Sequence, residues 1–410
     1  MTHSTQIFQR ICKHSGSLGT LLFRWNPEVQ RLEHVAAIEE PTIKMKARIC
    51  TLLVAIIMLQ LAYSKLIIHK VNSTFYDIQN ALALIILICT NVYSHSFGTS
   101  NDKVLDIISY INAIVMWTEK RNKTLLKETL LDKISMQHAH MLFFSDLSLA
   151  VSFLFGLYWN DPCQDFMVGS FVLEECRAWK ITSSDGIFGM LAWFSKLPLK
   201  LTVFLVNLWV WNTGLNAAVF ALGVINILCS ITLRENLKRL RVEWSAKTIS
   251  KFQAAMSFRH IQILIQMLNT LQQGYFMYNL MVPAILIQAL SLTCLLKQPV
   301  VMEAIVPISV YLITVIDSMY NTMISMGGMA AICNESKRCL ASIRKYDRCL
   351  KQHIVQTKEL KWWRRFCKSC DFLKIRFGTN NFLEALTPLN CIDFGNNLAV
   401  QVLLLEASSL

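Results

Sequence analysis

Seven stretches of this chain are each long enough to cross a bilayer: Ile49–Ile68, Tyr76–His95, Met141–Trp159, Leu201–Leu233, Tyr275–Leu296, Ala304–Met326 and Leu386–Leu405. A helix of about 20 residues rises ~30 Å, the thickness of the hydrocarbon layer. The expected fold is therefore all-α, a polytopic membrane protein with seven transmembrane helices. Composition agrees, because hydrophobic residues make up 54% of the chain and charged residues only 16%, too few charges for a soluble protein of this length. The fourth run begins near Ile187, but cutting it in two places Lys196 and Lys200 inside the first half. It reads as one long, tilted helix with an outer extension.

Lys and Arg set the direction of the spans. Segments 1–48, 101–140, 234–260 and 334–377 hold 7, 6, 7 and 13 of them, which is 33 of the chain's 40. With seven crossings all four segments fall on one side, so the N-terminus is expected in the cytosol and the C-terminus outside. The net charge of +13 then belongs to one-sided connections, and no nucleic-acid partner is expected. A seven-helix G-protein-coupled receptor runs the other way and is disfavoured. The sequon Asn72-Ser73-Thr74 falls in the first outer loop, where it is expected to be glycosylated, whereas Asn122 and Asn334 fall inside. The first apolar run starts only at Ile49 and continues to spanning length, so no cleavable signal peptide is expected.

Five parts follow from these boundaries. Residues 1–48 form a cytosolic N-terminal segment with one short helix around Pro27–Glu40. Residues 49–333 carry helices one to six, with cytosolic helical extensions at 96–140 and 234–274. Residues 334–385 are a basic cytosolic anchor, 386–405 the seventh helix, and 406–410 an extracellular tail. In the first extension Val104, Ile107, Ile108, Ile111, Ile114 and Val115 recur at helical spacing, and in the second Ile261, Ile263, Leu264, Met267, Leu268 and Leu271 define a face to be buried. Three stalks on one side imply a cytosolic bundle, one suited to holding subunits together.

The seventh run is the most informative. At about 100° per residue Asn390, Asp393, Asn397 and Gln401 share an arc of about 80°, with Leu398, Ala399, Val402 and Leu405 on the other side. Polar groups at membrane depth need a partner or water. Either this face packs on polar groups of its own bundle, or copies of the helix surround a symmetry axis. In the second arrangement Asp393 makes a carboxylate ring ~10 Å from the cytosolic edge that favours cations, and Val400 and Leu404 form an apolar constriction further out.

Other clusters carry less. Asp146 and Asp317 are charges within spans three and six, read as satisfied by neighbouring helices or, for Asp317, as facing an aqueous cavity or coupling span six to span seven. Phe153, Trp209, Trp211 and Tyr311, with Gln79, Asn80 and Gln288, are candidates for an apolar ligand pocket between helices; Phe155, Tyr158 and Trp159 read as an interfacial belt. Cys163 and Cys176, in the acidic outer loop Asn160–Gly186, are candidates for a disulfide. Cys367-Lys368-Ser369-Cys370 has no second pair and no suitably spaced His, so it reads as ordinary helix cysteines, and no metal or cofactor is expected. His138 and His140 read as interfacial side chains. No nucleotide loop, nucleophile elbow or zinc-protease motif occurs, and an enzyme is not expected.

The inverted topology, the long fourth span, the basic stretch running into the final helix and the segment Phe382–Phe394 (FLEALTPLNCIDF) together resemble the arthropod seven-transmembrane chemoreceptor superfamily of gustatory and odorant receptors. The resemblance implies a ligand-gated ion channel in which four subunits surround one pore lined by the last helix. It also implies a tetramer held by the cytosolic stalks, and a ligand pocket in the outer half of helices two to six. On this chain the pore then falls to Asn390, Asp393, Asn397, Val400, Gln401 and Leu404. The function expected is that of a gustatory-type receptor in the plasma membrane, opened by a small organic tastant or odorant, passing cations, and assembled as a tetramer with itself or with related subunits. A polytopic transporter, or a seven-helix protein signalling through a cytosolic partner, is the alternative.

Overall fold

The structure, a computed structural model, describes residues 21–26, 28–29, 31–63, 99–121, 201–206, 208–210, 225–272, 277–297, 305–350, 358–377 and 381–407, with single positions at 81, 82, 85, 88, 92, 198 and 213. Its elements in chain order are β1 (Phe23–Asn26), β2 (Arg31–His34), α1 (Glu40–Tyr63), α2 (Asn101–Arg121), α3 (Cys229–Ser245), α4 (Lys251–Leu271), α5 (Met277–Lys297), α6 (Ile305–Leu350), α7 (Lys358–Ser369), β3 (Arg376–Phe377), β4 (Asn381–Phe382) and α8 (Thr387–Ala407).

The short helix expected around Pro27–Glu40 is replaced by a hairpin. β1 and β2 pair antiparallel, Phe23 opposite His34 and Asn26 opposite Arg31. The cause is Asn26, whose side-chain oxygen accepts from the N–H groups of Glu28 at 2.9 Å and Val29 at 3.3 Å and turns the chain where helix would otherwise start. The hairpin is docked by one side chain of α2. Asn112 accepts from the Leu32 N–H at 2.9 Å and donates to the Leu32 carbonyl at 2.8 Å, completing the pairing of that residue as another strand would.

α2 buries Val104, Ile107, Ile108, Tyr110, Ile111 and Ile114, residues three or four apart and so on one face. α4 opens with a full capping box, in which Gln253 N–H donates to the Ser250 hydroxyl and the Gln253 side chain accepts from the Ser250 N–H. It buries Ala254, Ala255, Phe258, Ile261, Leu264, Ile265 and Leu268. Ile263, expected on that face, is 54% exposed, because at about 100° per residue it lies on the opposite side of the helix from Ala254, Phe258 and Ile265. α2, α3, α4, the second half of α6 and α7 share one core. At its centre Trp244 of α3 stacks on Trp363 of α7 at 5.0 Å, and Phe258 meets Phe366 edge-on at 6.4 Å.

The segment after α7 is fastened by polar side chains. Ser336 of α6 accepts from the Leu373 N–H at 2.9 Å. Asn269 of α4 donates to the Lys374 carbonyl at 3.1 Å and accepts from the Arg376 N–H at 2.8 Å. These bonds deliver the chain to α8, which packs into the angle between α5 and α6. α6 runs unbroken for 46 residues, about 69 Å, and so joins the α8 region to the stalk core.

Among the described residues no helix is long and apolar enough to cross a membrane, against the seven crossings expected. In α6 the apolar run is broken by Asp317, Asn321 and Ser325, and in α8 by Asn390, Asp393, Asn396, Asn397 and Gln401. Most of span two, all of span three and much of span four lie outside the described residues.

Candidate functional site

α8 begins after the Glu384–Thr387 turn, where the Thr387 hydroxyl accepts from the Glu384 N–H at 2.9 Å, and places Pro388 in its first turn, the one place a helix tolerates it without loss. Its faces are sharply divided. Pro388, Cys391, Ile392, Gly395 and Ala399 are turned to α5 and α6 and buried, with Asn396, Leu398, Val402 and Leu403 half-buried beside them. Leu389, Asn390, Asp393, Phe394, Asn397, Val400, Gln401, Leu404 and Leu405 are exposed. At about 100° per residue the exposed set spans about 160°, centred on the polar arc. The face that meets the bundle is the small, apolar one.

The contact is fixed by an amide. Gln288 of α5 is 1% exposed, and its Nε2 donates to the Ile392 carbonyl at 3.0 Å and to Asn396 Oδ1 at 2.8 Å. Gly395 makes room for it: a Cβ there would stand 3.0 to 3.2 Å from Cδ, Nε2 and Oε1 of Gln288. A buried amide needs its hydrogen bonds, and here they are spent on holding α8 in one rotation and one register. The sequence reading placed Gln288 in a ligand pocket; its side chain is instead enclosed between α5 and α8. A glycine in the middle of the helix, Gly395, was the available signal for this close approach.

On the exposed face Asn397 donates to the Asp393 carboxylate at 3.3 Å. The two side chains stand one turn apart in line. A similar pair sits on α6, where Asn321 donates to Asp317 at 2.9 Å. Asp317 thus spends this bond on its own helix, and the side-chain hydrogen bonds that reach α8 come from Gln288 of α5. α6 and α5 are tied by the Ser318 hydroxyl, which donates to the Ala284 carbonyl at 2.8 Å.

Of the remaining pocket candidates, Trp209 and Tyr311 are half-buried. Gln79, Asn80, Phe153 and Trp211 lie outside the described residues, as do Asn72, Cys163, Cys176, Asp146, His138 and His140. Cys367 and Cys370 are buried, and neither forms a disulfide. Burial pushes the Cys370 thiol up, with Arg259, the Ser369 hydroxyl and Arg344 pulling the other way. Among the described residues no cluster of His, Cys, Asp and Glu is placed to hold a metal ion.

No protein-family profile matches this sequence, and no curated protein matches it. Solved structures do. The insect olfactory receptor OR5 of Machilis hrabei in complex with eugenol superposes with a TM-score of 0.61 at 10% identity, covering 98% of this chain and 99% of that one. A second structure of the same receptor gives a TM-score of 0.58 at 12% identity, covering 98% and 96%. The chain has the fold of the insect olfactory receptors. The likeness runs the length of both chains, so the shared core of α2, α3, α4, α6 and α7 and the last helix α8 all fall within it.

Proposed function

We propose that this chain is a subunit of an insect-type chemosensory receptor, a ligand-gated cation channel whose pore is lined by α8. The observation that carries this reading is the outward face of α8. A single subunit leaves Asn390, Asp393, Asn397 and Gln401 in line and exposed, flanked by Val400 at 52% and Leu404 at 63% exposure. Lipid is a poor cover for four polar groups that include a carboxylate. Copies of the same helix around a symmetry axis enclose a path in which those groups meet water and ions. Four copies, held together by the stalks and assembled alone or with related subunits, are the arrangement we favour.

In this reading the chain crosses the plasma membrane seven times, N-terminus in the cytosol and C-terminus outside. α1, α5, α6 and α8 contribute crossings whose polar interruptions are covered by neighbouring protein or pore water. The apolar stripe Ile49, Leu52 and Ile56, exposed along one side of α1, then faces lipid. Asp393 attracts cations near the inner end, and Val400 and Leu404 close the path by excluding water. Trp209 and Tyr311, with Gln79, Asn80, Phe153 and Trp211, line a pocket for a small organic tastant or odorant; the eugenol complex of the structural neighbour supports a ligand of that size. A Cys163–Cys176 disulfide and glycosylation at Asn72 belong to the outer side.

Patch-clamp recording of the chain in a cell line, against sugars, bitter compounds and volatiles, tests the function. A ligand-evoked cation current is expected. Replacing Asp393 by Lys is expected to lower cation permeability and shift the reversal potential; unchanged selectivity contradicts the pore assignment.

A further inference from the structure

The parallel stalks of α3 and α6 carry a basic cleft that the channel reading does not use. Ser230 lies beside Gly328 and Ser245 beside Ser342, so the two helices run in the same direction and nearly in register. Both present Arg and Ser one turn apart, Arg241 with Ser245 and Arg338 with Ser342. The upper layer of the cleft is an ion cluster: Arg241 Nε lies 2.9 Å from one oxygen of Glu335, and Arg338 Nη1 lies 3.6 Å from the other. The layer below is the Ser245 and Ser342 hydroxyls, 3.2 Å apart. Lys345, exposed and without a partner among the described residues, follows three positions later.

The cleft, about 810 Å³, is lined by these groups with Val242, Ala246 and Ala341. A second groove shares Ala341 and Lys345 with it and adds Lys337, Arg344 and Phe372. The two linings together hold five cations, Arg241, Lys337, Arg338, Arg344 and Lys345, with the Glu335 carboxylate buried behind Arg241 and Arg338. Some are committed: Arg344 donates to the Cys370 carbonyl at 2.7 Å, and Lys337 sits 5.1 Å above the Phe372 ring. Arg338 and Lys345 are not. The Arg338 side chain is 68% exposed and its contact with Glu335 is long, and a pair of that kind holds its partner weakly. Two exposed cations beside two hydroxyls, of which the one that accepts keeps its own hydrogen free to donate, match the oxygens of a multiply phosphorylated ligand.

We propose that this cleft binds a polyphosphate anion of the inositol phosphate or nucleotide class. The proposal rests on the reading above only in taking the stalks as cytosolic. Ser342 lies sixteen residues beyond Met326, about 24 Å along α6, too far from the expected membrane edge for a headgroup resting in the bilayer plane. A soluble source is therefore favoured over a phosphoinositide.

The test titrates the purified full-length protein in neutral phosphatidylcholine nanodiscs with inositol hexakisphosphate, by calorimetry. Saturable binding is expected. It should weaken at least tenfold in the double variant Arg338→Ala with Lys345→Ala, and as much in Ser342→Glu, with Arg24→Ala on the distant hairpin unchanged. A parallel arm replaces the soluble probe by nanodiscs containing phosphatidylinositol 4,5-bisphosphate; stabilisation there that these variants abolish assigns the same seat to a lipid headgroup. No saturable binding in either arm, binding indifferent to the variants, or binding of an acidic peptide alone overturns the proposal. A protein that conducts no current leaves this titration intact, and a failed titration leaves the channel reading untouched.

Discussion

Gln288 sits where a single side chain governs how the last helix meets the bundle. Replacing it by Leu keeps the volume and removes both donated bonds. The Ile392 carbonyl retains its partner within the helix, but the half-buried Asn396 amide loses its own, at a cost of about 1 to 2 kcal/mol. The expected result is a lower unfolding temperature of the solubilised protein together with altered gating, seen as a changed fraction of open time at fixed ligand. Gly395→Ala forces the same amide aside from the opposite helix, so it should cost a similar amount, and the double variant should cost less than the sum of the two. Additive effects would mean that the two positions do not share one contact.

At the scale of elements, two extended segments are each gripped by an asparagine of a helix. Asn112 grips Leu32, and Asn269 grips the Lys374–Arg376 backbone. Asn112→Leu leaves a backbone donor and acceptor without partners, at about 1 to 3 kcal/mol each where buried. It is expected to release the hairpin, read as faster amide exchange over residues 22–35 with α2 still protected; unchanged exchange would contradict the docking role. These contacts also mark what a sequence can reveal. The two faces of α8 were legible, because polar and small residues alternate at a helical period over a segment that stays helical throughout. Which face would be buried was not, since that depends on Gly395 meeting Gln288, 107 positions apart in the chain. The docking of the hairpin was illegible for the same reason, since it rests on a residue 80 positions away, although its turn is local to Asn26.

The molecule as a whole is a stalk core joined by the unbroken α6 to a region where α8 leans on α5 and α6 and turns its polar stripe outward. A subunit built this way is incomplete, since that stripe asks for water or for copies of itself. If copies meet around an axis, the outward residues of α8 lie close to one another across subunits while those of α1 do not. Cysteine cross-linking in native membranes reads this directly and needs no ligand. Oxidation of Val400→Cys or Leu404→Cys is predicted to yield cross-linked dimers on a denaturing gel, whereas Ile56→Cys on the outer side of α1 and Ala399→Cys on the buried side of α8 should yield none above wild type. Failure of both α8 positions to cross-link, or equal cross-linking at Ile56→Cys, would contradict a pore built from this helix.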